Sequence, residues 1–327
     1  MKTFLIKTTL FVFVLLTILC MALFWIKNPS VSESLLGALP DKHMSLKNAQ
    51  SPKIVFVGGS NLSFGLDSRR ISEEFQMPVV NMGIHAGIGL RYMMNDVLPY
   101  VKKNDVIVLV PEYVFFYSPF YYGNIELISI LFDIFPEGKQ FISIQQWQAL
   151  TSYVLKYAAT KIKNIPNNLI NKFKHKSTTI GVYDKHSFNN FGDAYIHWNK
   201  ASEIVSCSGK CSGKETVNAF VLSDIKEFKN NLHKKGAELI ILPPAYQECS
   251  FNNEQYIINQ IETQLKESNL AYLTPPSRYR FADNFIFNTP YHLNKKGVDL
   301  RTAKVIEDLR MRILKGKKNA RGTPLNN

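Results

Sequence analysis

A three-layer α/β/α fold with a mostly parallel sheet, preceded by one membrane-spanning helix, is the class that this 327-residue sequence predicts. Three observations predict it. Short β-branched apolar runs recur without alternation and stop at Gly or Pro, as strands buried on both faces do. Stretches with helical periodicity separate them, and strand–helix–strand order calls for a parallel sheet covered on both sides. Finally, a long uncharged apolar stretch stands near the N-terminus.

That stretch runs from Thr8 to Ile26, with Lys2 and Lys7 before it and Lys27 after it. At ~1.5 Å per residue it reaches about 28 Å, close to a hydrocarbon core of ~30 Å. Ala22-Leu23-Phe24 offers no small-x-small cleavage site, and Thr17-Ile18-Leu19 before Cys20 is a poor lipoprotein signal. An uncleaved anchor over residues 1–27 is therefore expected. Lys2 and Lys7 favour an inside N-terminus, which puts the rest of the chain outside the cytoplasm.

Residues 28–52 show no sustained periodicity and read as a linker. One α/β domain is expected over 53–314, with a flexible basic tail at 315–327 (Lys315, Lys317, Lys318, Arg321). Its strands are Lys53–Val57, Pro78–Asn81, Asp105–Val110 and Glu238–Leu242, with a short one near Ala271–Leu273. Helices are expected at about Leu90–Lys102, Glu215–Lys235 and Asn253–Ser268, and after Asn294, a suitable N-cap. The second ends at Gly236, a C-terminal stop. Residues 114–214 interrupt this rhythm as an insertion. It opens on an aromatic cluster, Phe115 to Tyr122, and continues with apolar helical stretches around 125–135 and 142–162. Burial in a helical cap is the first reading of these aromatics; a lid over the cleft, or a surface resting on the membrane near the anchor, is the second.

The net charge of +13 does not make this a nucleic-acid binder. The basic residues are spread, no nucleic-acid motif is present, and the domain is expected outside the cytoplasm. Anionic lipid or an acidic polysaccharide accounts for the charge as well. Lys156, Lys161, Lys163, Lys172, Lys174 and Lys176 concentrate part of it in the insertion. Cys207 and Cys211 lack the company and spacing of a zinc site, so a small loop disulfide between them is expected. Cys249 is left as a structural thiol, because Glu248 beside it disfavours a thiolate.

The chemistry centres on Ser60. Gly58-Gly59-Ser60-Asn61 follows the first strand directly, so the serine sits on a tight turn at the carboxyl edge of the sheet, where backbone N–H groups can meet an oxyanion. A serine needs a base at neutral pH, and His292 in Tyr291-His292-Leu293-Asn294 is the candidate. Taken alone, a Gly-Gly-Ser after a strand is more often a plain turn, and a single His before a helix more often a cap. Glu112, at the end of the third strand, and His85, in Gly83-Ile84-His85, are candidate substrate contacts; a salt-bridged wall residue and a hydrogen-bonded loop residue are their ordinary readings. Asp193, in Asn190-Phe191-Gly192-Asp193, is catalytic only if the fold brings it close.

In the order and context of these blocks, residues 53–314 resemble the SGNH (GDSL-type) hydrolase superfamily, and within it the divergent membrane-anchored branch of bacterial envelope loci. Gly58-Gly59-Ser60-Asn61 stands where the family has Gly-Asp-Ser-Leu. Val79-Val80-Asn81-Met82-Gly83 matches the second block, whose glycine N–H serves the oxyanion hole. Phe287 to His292 matches the last block but carries Thr289 in place of the acid, and Val110-Pro111-Glu112-Tyr113 does not supply the third block's asparagine. The resemblance implies a flavodoxin-like sheet, Ser60 as nucleophile and His292 as general base. Asn288 or Asp283 would orient the His, with a backbone carbonyl as a third option. The N–H groups of Ser60 and Gly83 would form the oxyanion hole, with Asn61 or Asn81 filling the vacant place. No cofactor and no metal are called for. The expected activity is an extracytoplasmic serine esterase or O-acyltransferase on acyl groups of an envelope glycan, held by one span in the bacterial inner membrane with its domain facing the periplasm, with a membrane acyl-transfer protein as a further candidate partner. The alternative is a catalytically degenerate relative that binds glycan or a membrane partner.

Overall fold

The structure, a computed structural model, describes residues 1–166, 180–209 and 213–321, with side chains as far as Ile313. Helix α1 (Lys2–Phe24) is the apolar N-terminal stretch, long and apolar enough to cross a membrane. Helix α2 (Leu39–Asn48) leads to β1 (Ile54–Gly58), and then come α3 (Ser68–Phe75), β2 (Val79–Asn81), α4 (Leu90–Val97) and β3 (Val106–Val110). The insertion contributes α5 (Ile144–Lys163). The chain continues as α6 (Ala219–Lys234), β4 (Glu238–Ile241), β5 (Tyr246–Gln247), α7 (Gln255–Glu267), β6 (Arg280–Phe281) and α8 (Lys295–Arg321).

Among the described residues, β2-β1-β3-β4 form a four-stranded sheet in that order, all neighbours parallel. Alternate strand residues feed two separate cores, as the period of two requires. Val55, Val57, Ile107, Leu109 and Ile241 face a core shared with α2, α4, α5, α6 and α7. Ile54, Phe56, Val106, Val108 and Ile240 face the other, closed by Ile71 and Phe75 of α3 and by Val298, Val305 and Leu309 of α8. The three layers follow from the central strands β1 and β3, which are buried at every position and carry only apolar residues and one glycine: neither face of such a sheet can be left to water. The order reverses between β1 and β3, and ligands of open parallel sheets bind outside the carboxyl ends of the strands at such a point.

Several boundaries differ from the expected ones for local reasons. The Leu90–Lys102 helix stops at Val97 and tightens into a 3-10 turn, Leu98–Tyr100, around Pro99, which has no N–H to continue the ladder. Helix α6 starts at Ala219 because the Asn218 side chain accepts the Phe220 N–H. The segment 271–273 is not a strand; one bond, Leu273 N–H to the Ile241 carbonyl, lays it beside β4. The small parallel pair β5–β6 was not anticipated. Residues 28–52 are helical rather than a linker: Leu35, Leu36, Leu39 and Leu46 enter the first core. Four leucines among polar residues bury well once a core is adjacent, although they make no long periodic pattern. Helix α8 carries the basic segment in helical form to Arg321; 322–327 lie outside the described residues.

The cysteine expectation is corrected. Cys207 bonds to Cys249, 42 positions away, not to its near neighbour. Cys211 lies outside the described residues, as do Lys172, Lys174 and Lys176. The sequence could not show that the loop after Ser206 folds against the turn carrying Cys249. Ser208 N–H donates to Ser250 Oγ there, which brings the two sulfurs within reach.

Candidate active site

The turn after β1 is built by close approaches that only glycine permits. A Cβ on Gly58 would stand 2.5 Å from the Val110 carbonyl oxygen, and one on Gly59 2.5 Å from Glu112 Oε1. Gly59 opens a single helical turn, Ser60–Ser63, in which Phe64 N–H reaches the Ser60 carbonyl. Ser60 is thereby the first helical residue at the carboxyl edge of the sheet. Its own N–H has no acceptor among the described residues, as a first-turn N–H has none within its helix.

His292 arrives from a hairpin. Its N–H donates to the Thr289 carbonyl, its carbonyl accepts from Phe287, and Ile286 bridges Leu293. Leu293 N–H is tied to the Phe64 carbonyl, which fastens the hairpin to the serine turn. His292 Nε2 lies 3.0 Å from Ser60 Oγ, and its Nδ1 lies 3.0 Å from Asn288 Oδ1. Asn288 Nδ2 in turn donates to the Tyr183 hydroxyl at 2.8 Å, which leaves Oδ1 facing the imidazole. An Nδ1–H donated to that oxygen leaves a lone pair on Nε2 to accept the Ser60 hydroxyl. Phe64 stacks on the ring at 4.2 Å. The imidazole is 4% exposed, and burial, reinforced by His197 and His85, pushes its pKa down to about 3. It is neutral at neutral pH, the form a base requires.

The other candidates separate cleanly. Asp283 does not meet the ring; its Oδ1 accepts from Gln247 Nε2. Thr289 contributes its carbonyl to the hairpin. Asp193, buried, accepts from Ser68 N–H and Oγ and from Asn81 Nδ2, and Lys42 lies nearby. It fastens β2's edge and is not part of the site. Of the named oxyanion donors, only the Ser60 N–H is unengaged. Gly83 N–H donates to Asn81 Oδ1, while Asn81 Nδ2 is taken by the Leu62 carbonyl and Asp193. Asn61 is buried, its Nδ2 3.1 Å from Glu112 Oε1. Both asparagines therefore brace the turn and do not face a reacting carbonyl.

Glu112 and Arg301 form the floor of that brace. Glu112 Oε1 accepts the Asn61 N–H at 3.2 Å as well as its side-chain amide, and burial raises its carboxyl pKa. Arg301, 1% exposed on α8, donates to both the Asn61 carbonyl and its Oδ1. Glu112 is thus neither a salt-bridged wall residue nor an exposed contact: it holds Asn61, the residue beside Ser60. His85 accepts the Gly87 N–H at Nδ1, 3.0 Å away, so its proton resides on Nε2. Half-buried and close enough to act on the His292 charge, it is a neutral donor at the rim of the site. Sequence reasoning missed Tyr183, Phe64 and Arg301. Tyr183 lies 105 positions from Asn288, and no local pattern reports such a contact. Arg301, in an otherwise amphipathic helix, could have been flagged as a charge on the apolar stripe.

The chain matches no protein-family model and no curated protein.

Proposed function

We propose that this protein is a membrane-anchored serine esterase or O-acyltransferase that uses Ser60, His292 and Asn288. One observation carries the reading: Ser60 Oγ, the imidazole and the Asn288 amide are joined by two 3.0 Å hydrogen bonds, and a neutral ring donating Nδ1–H to Asn288 can accept the Ser60 proton at Nε2. Ser60 Oγ attacks an acyl carbonyl as its proton passes to His292 Nε2. The oxyanion forms beside the Ser60 N–H. Collapse breaks the acyl–oxygen bond, His292 returns the proton to the leaving alkoxide, and the acyl group stays on Ser60. A second hydroxyl, deprotonated by His292, then attacks the acyl carbonyl; the ester bond to Ser60 Oγ breaks and His292 returns the proton to that oxygen. Water gives hydrolysis and a sugar hydroxyl gives transfer, depending on how well the cleft excludes water.

The class of acceptor, an envelope glycan outside the cytoplasm, rests on the resemblance to the SGNH superfamily and on α1. The Cys207–Cys249 bond supports an oxidising compartment. A second reading, a non-catalytic glycan or partner binder, draws support from the uncharged Asn288 and from the inward-turned Gly83 N–H. Fluorophosphonate labelling and p-nitrophenyl acetate turnover of the full-length protein in detergent separate the two. The full chain is needed because Ala22 and Leu23 of α1 are buried in the domain. Labelling that is lost in both Ser60→Ala and His292→Ala supports the enzyme. A wild-type protein as inert as Ser60→Ala removes the enzyme reading.

A further inference from the structure

The apolar helix is not tethered to the domain; it is built into it. Ala22 and Leu23 belong to the first core, and Leu19 and Ile26 pack against it. Lys161 Nζ, on α5, donates to the Leu23 carbonyl at 2.9 Å and to Asp133 at 3.0 Å. The Phe24 ring meets Phe132 edge-on at 5.3 Å, and the Lys139 ammonium caps both rings. Leu19 lies five residues before Phe24, the last residue of α1, so protein mass reaches ~7.5 Å inward along the helix axis from its outer end. That is within the ~5–10 Å to which interfacial helices bury their apolar faces.

Helix α5, which packs on α1, turns an apolar and basic face outward. Leu155 is 54% exposed and Ile162 40%, with Ile144 on the same helix at 78%. The exposed Lys156 and Lys163 stand beside Leu155 and Ile162. No Asp or Glu occurs anywhere between Glu137 and Asp184 in the sequence. Apolar side chains in water next to a membrane span, on a stretch carrying only positive charge, fit an anionic bilayer and fit poorly to water.

We propose that the face of α5 bearing Leu155, Lys156, Ile162 and Lys163 is a lipid-binding surface that lies in the outer interface of the membrane crossed by α1. It embeds the two aliphatic side chains and pairs the two lysines with anionic headgroups. The domain is then held against the bilayer at two places, α1 and α5, which fixes its orientation. The inference is independent of the chemistry at Ser60.

Site-specific photocrosslinking of the full-length protein in nanodiscs tests it. p-Benzoylphenylalanine replaces Leu155, Ile162 or, as control, Met311, which is 54% exposed on α8 across the sheet. In nanodiscs of phosphatidylcholine with phosphatidylglycerol, mass spectrometry after irradiation is expected to show phospholipid adducts at 155 and 162 at several times the yield at 311. Combining Lys156→Glu with Lys163→Glu should cut that yield several-fold in the mixed lipid and little in pure phosphatidylcholine. These exposed substitutions leave the core intact, which an unchanged melting temperature checks. Adduct yields at 155 and 162 no higher than at 311 overturn the proposal, as do crosslinks to a second copy of the chain instead of lipid.

Discussion

At Asn288 the imidazole has a neutral partner where a carboxylate would have stabilised the imidazolium. An amide can set the tautomer and the ring angle but supplies no charge, so the proposed site gives up part of the electrostatic help that a charged third member provides. Asn288→Ala should therefore lower kcat for ester turnover by about 10- to 100-fold, since orientation alone is lost. Asn288→Asp should raise the pKa of His292 and move the acid limb of kcat/KM upward, by about one to two pH units. A pH–rate profile of the two variants checks both; an unmoved acid limb in Asn288→Asp would show that the new carboxylate does not feel the ring. Gly59→Ala probes the brace from the other side. Its Cβ would drive Glu112 off Asn61, because Oε1 lies only 2.5 Å from that position. Fluorophosphonate labelling should slow at least ~10-fold while the fold persists.

Among the elements, the most consequential connection is the disulfide between the loop at Cys207 and the turn at Cys249. By closing a loop of 42 positions it removes chain entropy from the unfolded state, worth about 4 kcal/mol at most in the loop-entropy description. Cys249→Ser should lower the melting temperature by several degrees, and reductant should do the same to wild type but not to the variant. The bond also ties Tyr246 and Ser208, whose hydroxyls lie 2.9 Å apart, into the wall next to Tyr291. The insertion reaches the site through Tyr183, which supports Asn288 while its backbone carbonyl accepts the Leu35 N–H from the helical segment after α1, and through His197, whose Nε2 lies 3.0 Å from the Leu293 carbonyl and whose ring acts on His292. The segment after α1, the insertion and the hairpin are thereby linked in a single chain of contacts.

For the molecule as a whole, two buried neutral imidazoles set part of the response to acid. Burial holds His197 down to about 4, and His292 is held down to about 3. Unfolded histidines titrate near 6.5. Above that pH both states are neutral and the two groups contribute no pH dependence. As pH falls from about 6.5 toward 4 and 3, the unfolded chain binds protons that the folded chain refuses, so stability is lost. Glu112 and Asp193, whose carboxyl pKa values are raised by burial, act in the opposite direction. The differential is therefore the measurable quantity. Between pH 7 and 4.5 the melting temperature of wild type should fall more steeply than that of His197→Asn; parallel slopes would mean that His197 is protonated in the fold.

What the linear chain settled and what it left open divide along physical lines. Apolar strands stopped by Gly or Pro must be buried on both faces, and that local rule already implied the parallel sheet, its order of elements and the serine turn at its carboxyl edge. Ser60, His292 and Asn288 were nameable because the turn chemistry is local and because the asparagine stands four positions before the histidine. The pairing of Cys207 with Cys249, the helical packing of residues 28–52 and the support of Asn288 by Tyr183 were not readable. Each depends on which surfaces meet after the core has formed, and contacts across tens of positions leave no periodic trace. The same holds for the amides of Asn61 and Asn81. Their identity advertised hydrogen bonding, but only the packed structure decided that Glu112, Arg301 and Asp193 would take it up, because a buried polar group must be satisfied by whatever lies nearest in space.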